Sequence, residues 1–244
     1  MAATDPVAPG TVIRRHSAAT RIWHAINAVA MFVMIGSGIG IFKAHPRLYW
    51  GVAGANFDTP WTALDAWPAW SVSLINLLTI PTSYNLAMSR RWHLFFALVM
   101  AFSLLGFLVV SLLNRHIQRD LRLRARELSA AHLIADVKAH LVFRFHDPEG
   151  PAAYNIFQKL SYILVLFVLL PLVILTGLAM SPGMNAAWPW LLDLFGGRQS
   201  ARSLHFIAFV GLTLFTVVHL VLVILAGPIN EMRSIITGRW KVPG

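Results

Sequence analysis

The 244-residue chain has no cysteine. That excludes disulfides, thiolate zinc sites and iron–sulfur clusters within it. It also excludes the C-x-x-C-H attachment of a covalent haem. Charge is scarce as well: only 12% of residues are Asp, Glu, Lys or Arg, about half the share of a soluble domain. Four long stretches, Ile22 to Phe42, Trp92 to Leu113, Leu160 to Met180 and Leu204 to Ala226, contain none of the four. No internal repeat, low-complexity segment or nucleotide-binding fingerprint is legible. No cleavable leader is expected, because the first 20 residues are polar and the first apolar stretch already has the length of a span. Arg14-Arg15 reads as a topology anchor.

What is present is apolar. Hydrophobic residues make up 57% of the chain and mean hydropathy is +0.64. Each of the four stretches can cross a hydrocarbon core, which takes about 20 apolar residues. The expected architecture is therefore a single all-α membrane domain over 1–244, a four-helix transmembrane bundle. The segment Arg115 to Phe145 alternates basic and apolar residues and predicts an amphipathic helix on the cytoplasmic surface.

The net charge of +10 comes from 20 basic against 10 acidic residues. It predicts topology and contact with lipid rather than nucleic-acid binding. Fourteen of the basic residues fall in the N-terminal segment, the loop after span two and the C-terminal tail. Six lie on the other side: Lys43, Arg47, Arg90, Arg91, Arg198 and Arg202. The positive-inside rule then places both termini in the cytoplasm. The loop Ala44 to Arg91 holds Trp50, Trp61, Trp67 and Trp70, which suits the outer membrane interface.

Four histidines lie in or at the ends of the spans: His24, His93, His205 and His219. Ionisable groups within a bilayer tend to be functional, although a single one can be a polar group satisfied between helices. His205 and His219 are 14 residues apart on the last span, about 21 Å along a helix axis and only ~40° apart around it. The alternation of span direction matches His24 in depth with His219, and His93 with His205. Two bis-imidazole iron sites, each holding a haem, are the expected result. Gly36, Gly38, Gly40, Gly106, Gly177 and Gly211 suit either close approach of a porphyrin or helix packing. Arg90, Arg91, Arg198 and Arg202 are candidates for haem propionate contacts or for an acidic partner. A proton-relay transporter and a haem-free membrane anchor are the competing readings. Four spans without an intramembrane carboxylate disfavour the transporter.

Arg21-Ile22-Trp23-His24, the 14-residue histidine spacing on the last span and Tyr154-Asn155-Ile156-Phe157-Gln158-Lys159 together resemble the di-haem cytochrome b subunits of formate dehydrogenase, nickel–iron hydrogenase and thiosulfate reductase. The resemblance covers nearly the whole chain. Gly196-Gly197-Arg198-Gln199-Ser200-Ala201-Arg202 looks closest to the thiosulfate-reductase-like branch. The resemblance implies two haems b, with His24, His93, His205 and His219 as axial iron ligands. It also implies a quinone site (menaquinone or ubiquinone) near the cytoplasmic haem. Asn155 falls on the family's quinone-contacting position, and Gln158 beside it can supply a second amide; the alternative for Asn155 is a helix cap, for which Asn is a favoured type. Implied further are a bacterial inner-membrane location and a periplasmic redox partner subunit, a molybdenum-containing oxidoreductase. The Ala44 to Arg91 loop is longer than in the formate dehydrogenase subunit, so the docking surface departs from that pattern.

Overall fold

A polar residue just ahead of each of the first three apolar runs starts its helix, and the rest of the chain joins and caps the helices. The computed structural model of the chain describes residues 8, 10–55, 57–141 and 154–242. After strand β1 (Val12–Arg14) comes helix α1 (Ala18–Ala44). A small hairpin, β2 (Arg47–Leu48) and β3 (Thr62–Ala63), and helix α2 (Ala69–Leu78) lead to α3 (Leu86–Leu113). Short helices α4 (His116–Asp120) and α5 (Ala130–Leu141) follow. The third run comprises α6 (Ile156–Leu164), a π-helical turn (Val165–Leu169) and α7 (Leu170–Met180). Helices α8 (Pro182–Ala187) and α9 (Trp190–Leu194) precede α10 (Arg198–Leu225), and α11 (Pro228–Thr237) and β4 (Arg239–Lys241) end the fold.

Four helical rods, α1, α3, α6–α7 and α10, are long and apolar enough to cross a membrane. Each runs beyond its apolar stretch into polar sequence. The Ser17 hydroxyl accepts from Thr20 N, Asn85 Oδ1 from Met88 N and Asn155 Oδ1 from Gln158 N, which satisfies amides that a helix start leaves unpaired. The outward faces carry exposed Ile22, Val29, Phe32, Phe95, Phe102 and Leu214. Faces of that kind suit lipid and not water. In the third rod, Pro171 has no N–H to give and its ring crowds the preceding turn. The chain answers with the π turn just before it and restarts as α7 with Pro171 in the first turn.

The single surface helix expected over Arg115 to Phe145 is broken. Arg115 adopts a left-handed conformation (φ 54°) after α3, α4 ends at Asp120, and a 3-10 turn (Ala125–Leu128) precedes α5. Leu121-Arg122-Leu123-Arg124 alternates with period two, so it offers no helical apolar face. Residues 142–145 lie outside the described residues.

The chain divides into two compact units. One comprises Met1–Ala25, Leu104–Val165 and Phe215–Gly244. Within it β1 and β4 pair antiparallel, with Ile13 opposite Trp240. Trp240 is fully buried, lies 4.8 Å beneath the Arg15 guanidinium and donates Nε1–H to Glu231 at 2.9 Å. Arg15 in turn binds Glu231 at 3.2 Å. In the same unit Lys159 Nζ reaches Glu127 Oε1 at 2.8 Å, with both side chains mostly buried. The other unit comprises Ile26–Ser103 and Leu166–Leu214. There Gly36 lets Ile80 lie against α1, since a Cβ at that position would meet it at 2.7 Å. Trp61 donates to Ser203 Oγ at 2.8 Å, and Ser203 to the Tyr49 carbonyl at 2.6 Å. Phe42 and Trp67 pack with ring centroids 5.8 Å apart.

Candidate functional site

A histidine on an apolar helix needs a partner for its ring nitrogens, because an unsatisfied polar atom away from water is costly. The structure brings His93 of α3 to His205 of α10, with ring centroids 6.2 Å apart and planes inclined by 59°. It brings His24 of α1 to His219 of α10 with the same 6.2 Å separation and an inclination of 56°. Each pair lies wholly within one of the two units.

The protonation of the first pair follows from counting hydrogens. Ser37 Oγ stands 2.6 Å from the Val33 carbonyl and 3.0 Å from His93 Nδ1. A hydroxyl has one hydrogen. The carbonyl can only accept, so Ser37 donates to it and accepts from Nδ1–H. His93 is thereby the Nδ1–H tautomer, and its Nε2 lone pair is available to a metal. The second ring repeats the arrangement. Thr176 Oγ1 stands 2.6 Å from the Leu172 carbonyl and 3.0 Å from His205 Nδ1. Both hydroxyl residues are fully buried. The residue after each is glycine, and a Cβ on Gly38 or Gly177 would sit 3.4 Å from Cε1 of the same imidazole. Around the other pair, Phe215 stacks on His219 at 5.7 Å and Trp23 on Phe107 at 4.2 Å. Neither His24 nor His219 has a side-chain hydrogen bond among the described residues.

These pairs fit haem iron. An iron about 2 Å from one nitrogen on each side, an ordinary metal–imidazole length, calls for ring centroids roughly 6 Å apart. Among the described residues no group of three His, Asp or Glu is placed to hold a metal ion. A macrocycle that supplies the equatorial ligands suits a site with two facing imidazoles. The model of one protein family, described as prokaryotic cytochrome b561, matches residues 15–238. The chain belongs to the prokaryotic cytochrome b561 family. No curated protein and no solved structure matches it. As a cytochrome b561 it is a multi-pass membrane protein that binds haem b and transfers electrons.

The other residues singled out by the sequence fall as follows. Asn155 caps α6 in a reciprocal box: its Oδ1 accepts from Gln158 N at 2.8 Å, and Gln158 Oε1 accepts from Asn155 N at 3.2 Å. Arg90 and Arg91 are exposed in the first two turns of α3, and Arg198 is exposed at the first position of α10. Arg202, one turn into α10, donates to the His45 carbonyl. Of the glycines, Gly38 and Gly177 face imidazoles, Gly36 and Gly40 face the segment around Thr79–Ile80 and Ser89, and Gly211 faces Leu169. Sequence reasoning missed Ser37 and Thr176. The only signal was a hydroxyl residue preceding a glycine in each of two spans.

Proposed function

We propose that this cytochrome b561 holds two haems b and carries electrons between the quinone pool and a periplasmic redox subunit of the inner membrane. The observation that carries this reading is the duplicated imidazole pair. Two sites, one completed by α1 and the other by α3, reach the same 6.2 Å separation, and α10 supplies one histidine to each. Haem b, when bound, supplies a one-electron couple at its iron. The chain's own residues do the rest: His93 with His205, and His24 with His219, hold and orient, while the apolar rods exclude water.

The excess of basic residues, 14 against six, supports cytoplasmic termini. The His24–His219 pair then lies at the cytoplasmic side, and the His93–His205 pair at the periplasmic side. The quinone, menaquinone or ubiquinone, would exchange electrons at the cytoplasmic pair beside Asn155 and Gln158, as the family resemblance implies. By the same resemblance the periplasmic partner is a molybdenum-containing oxidoreductase of the thiosulfate-reductase-like kind. Haem count tests the core of the reading. Pyridine haemochrome analysis should give two haems b per chain, and His93→Ala and His219→Ala should each leave one. A value of one for the unaltered chain would overturn it.

A further inference from the structure

We propose that Ser37 and Thr176 are positioning residues that set the redox potential of the haem held by His93 and His205. The proposal rests on the two-haem reading above. It starts from a repetition. Ser37-Gly38 on α1 and Thr176-Gly177 on α7 present the same two groups, in the same order, to the two imidazoles of one pair.

In each case the hydroxyl hydrogen is committed to the carbonyl four residues back, Val33 or Leu172, at 2.6 Å. The helix backbone therefore fixes which way the oxygen's lone pairs point. Those lone pairs meet Nδ1–H at 3.0 Å, on a residue with no exposed surface, so water does not compete. On the other flank the glycine brings the helix backbone close to the Cε1 edge of the ring, where even a Cβ would stand in contact at 3.4 Å. Each ring is thus held on two sides, which fixes its azimuth about the Cβ–Cγ bond.

An acceptor on Nδ1–H makes Nε2 a stronger base and orients the ring toward its metal. A more basic axial ligand stabilises ferric over ferrous iron, so both hydroxyls act to lower the potential. Axial ligands and the hydrogen bonds behind them are among the levers a protein has on a haem. The other pair lacks this device among the described residues. Removing the hydroxyls should therefore move one haem of the two and leave the other where it was.

The test uses the full chain in lipid nanodiscs, with both haems titrated optically and the oxidised protein examined by low-spin EPR. The haem held by His93 and His205 is identified as the component missing from His205→Ala. In Ser37→Ala and Thr176→Val its midpoint should shift to more positive potential and its largest g value should change. The other haem should show neither effect, and the double variant should shift further than either single one. Ser37→Thr and Thr176→Ser should restore the original values. If a variant loses haem, loss of that one alone supports the brace. Loss of both, or an equal shift of both midpoints, overturns it. Two haems with unmoved potentials defeat the brace and leave the two-haem reading standing. A single haem in the unaltered chain defeats that reading before any variant is made.

Discussion

The cap that Asn155 makes and the quinone contact proposed for it fall on different atoms of one side chain. Its Oδ1 and the Oε1 of Gln158 are occupied by the capping box, whereas a quinone carbonyl would need an amide N–H. The roles separate by substitution. Asn155→Ala loses the cap, at a cost of about 1 kcal/mol, and also loses the amide. Asn155→Ser keeps a capping oxygen and loses only the amide. If Asn155 contacts quinone, electron exchange with a quinol analogue should slow in both variants while the melting temperature falls only in the first. A normal rate in Asn155→Ser would confine Asn155 to its cap. The same residue-level view explains why Ser37 and Thr176 escaped the sequence. A hydroxyl in an apolar helix usually bonds to the carbonyl a turn back. Both do so, and nothing in the sequence distinguishes that from a hydroxyl which also holds an imidazole. The histidines were legible because an ionisable group in an apolar run has few cheap explanations.

Between elements, the feature the sequence concealed is the ion pair that ties the segment after α4 to α6. Lys159 is buried and bonds Glu127, whose amino-acid neighbours gave no sign of a partner 32 positions away. Burial pushes the Glu127 carboxyl up. The hydrogen bond from Lys159, the Arg124 backbone amide and the charges of Lys159 and Arg124 outweigh it, and the group ends below its ordinary value. A carboxylate held low in the folded state stabilises the fold above its unfolded value of about 4.3. That contribution is lost as pH falls through the lowered folded value. Glu127→Gln should therefore destabilise the protein at neutral pH, by an amount between the ~1 kcal/mol of an exposed pair and the ~3 kcal/mol of a buried one. The deficit should shrink as melting is followed from pH 7 into the acid range. A deficit independent of pH would assign the loss to packing. The same pair bears on the break in the surface helix. Alternating Leu and Arg over 121–124 cannot hold a helical face, and Glu127 instead turns back toward α6. The four spans, by contrast, were readable because 20 or so apolar residues in a row leave few alternatives; of their capped ends the reading reached Asn155, a favoured N-cap type, and not Ser17 or Asn85.

At the scale of the molecule, pairing of β1 with β4 puts both terminal segments on one face of their unit. A reporter fused after Gly244 should be active only in the cytoplasm if the charge rule holds, and export-dependent activity there would invert the sides assigned to the two histidine pairs. The connection between α1 and α3 matters for the partner. The segment between α1 and α2 is stitched to the start of α10: Gly51 N donates to Ser200 Oγ at 2.7 Å, and Gln199 N and Ser200 N donate to the Gly51 carbonyl at 3.0 and 3.1 Å. Trp61 and Arg202 add bonds to Ser203 and the His45 carbonyl. The segment after α1 and the start of α10 thus form one surface, on the same helices that carry Ser37 and His205. Trp50 and Trp70 are exposed between α1 and α3, at 52% and 70%, and Arg198 is exposed at the first position of α10. Aromatic and Arg side chains are favoured at interface centres, and the proposed function requires a redox partner. A photo-crosslinker in place of Trp50 should therefore capture a molybdenum oxidoreductase from native membranes, and Arg198→Glu should slow electron transfer to it more at low than at high salt. Crosslinks only to lipid, with electron transfer unaffected by Arg198→Glu, would return these side chains to membrane anchoring and move the docking surface elsewhere.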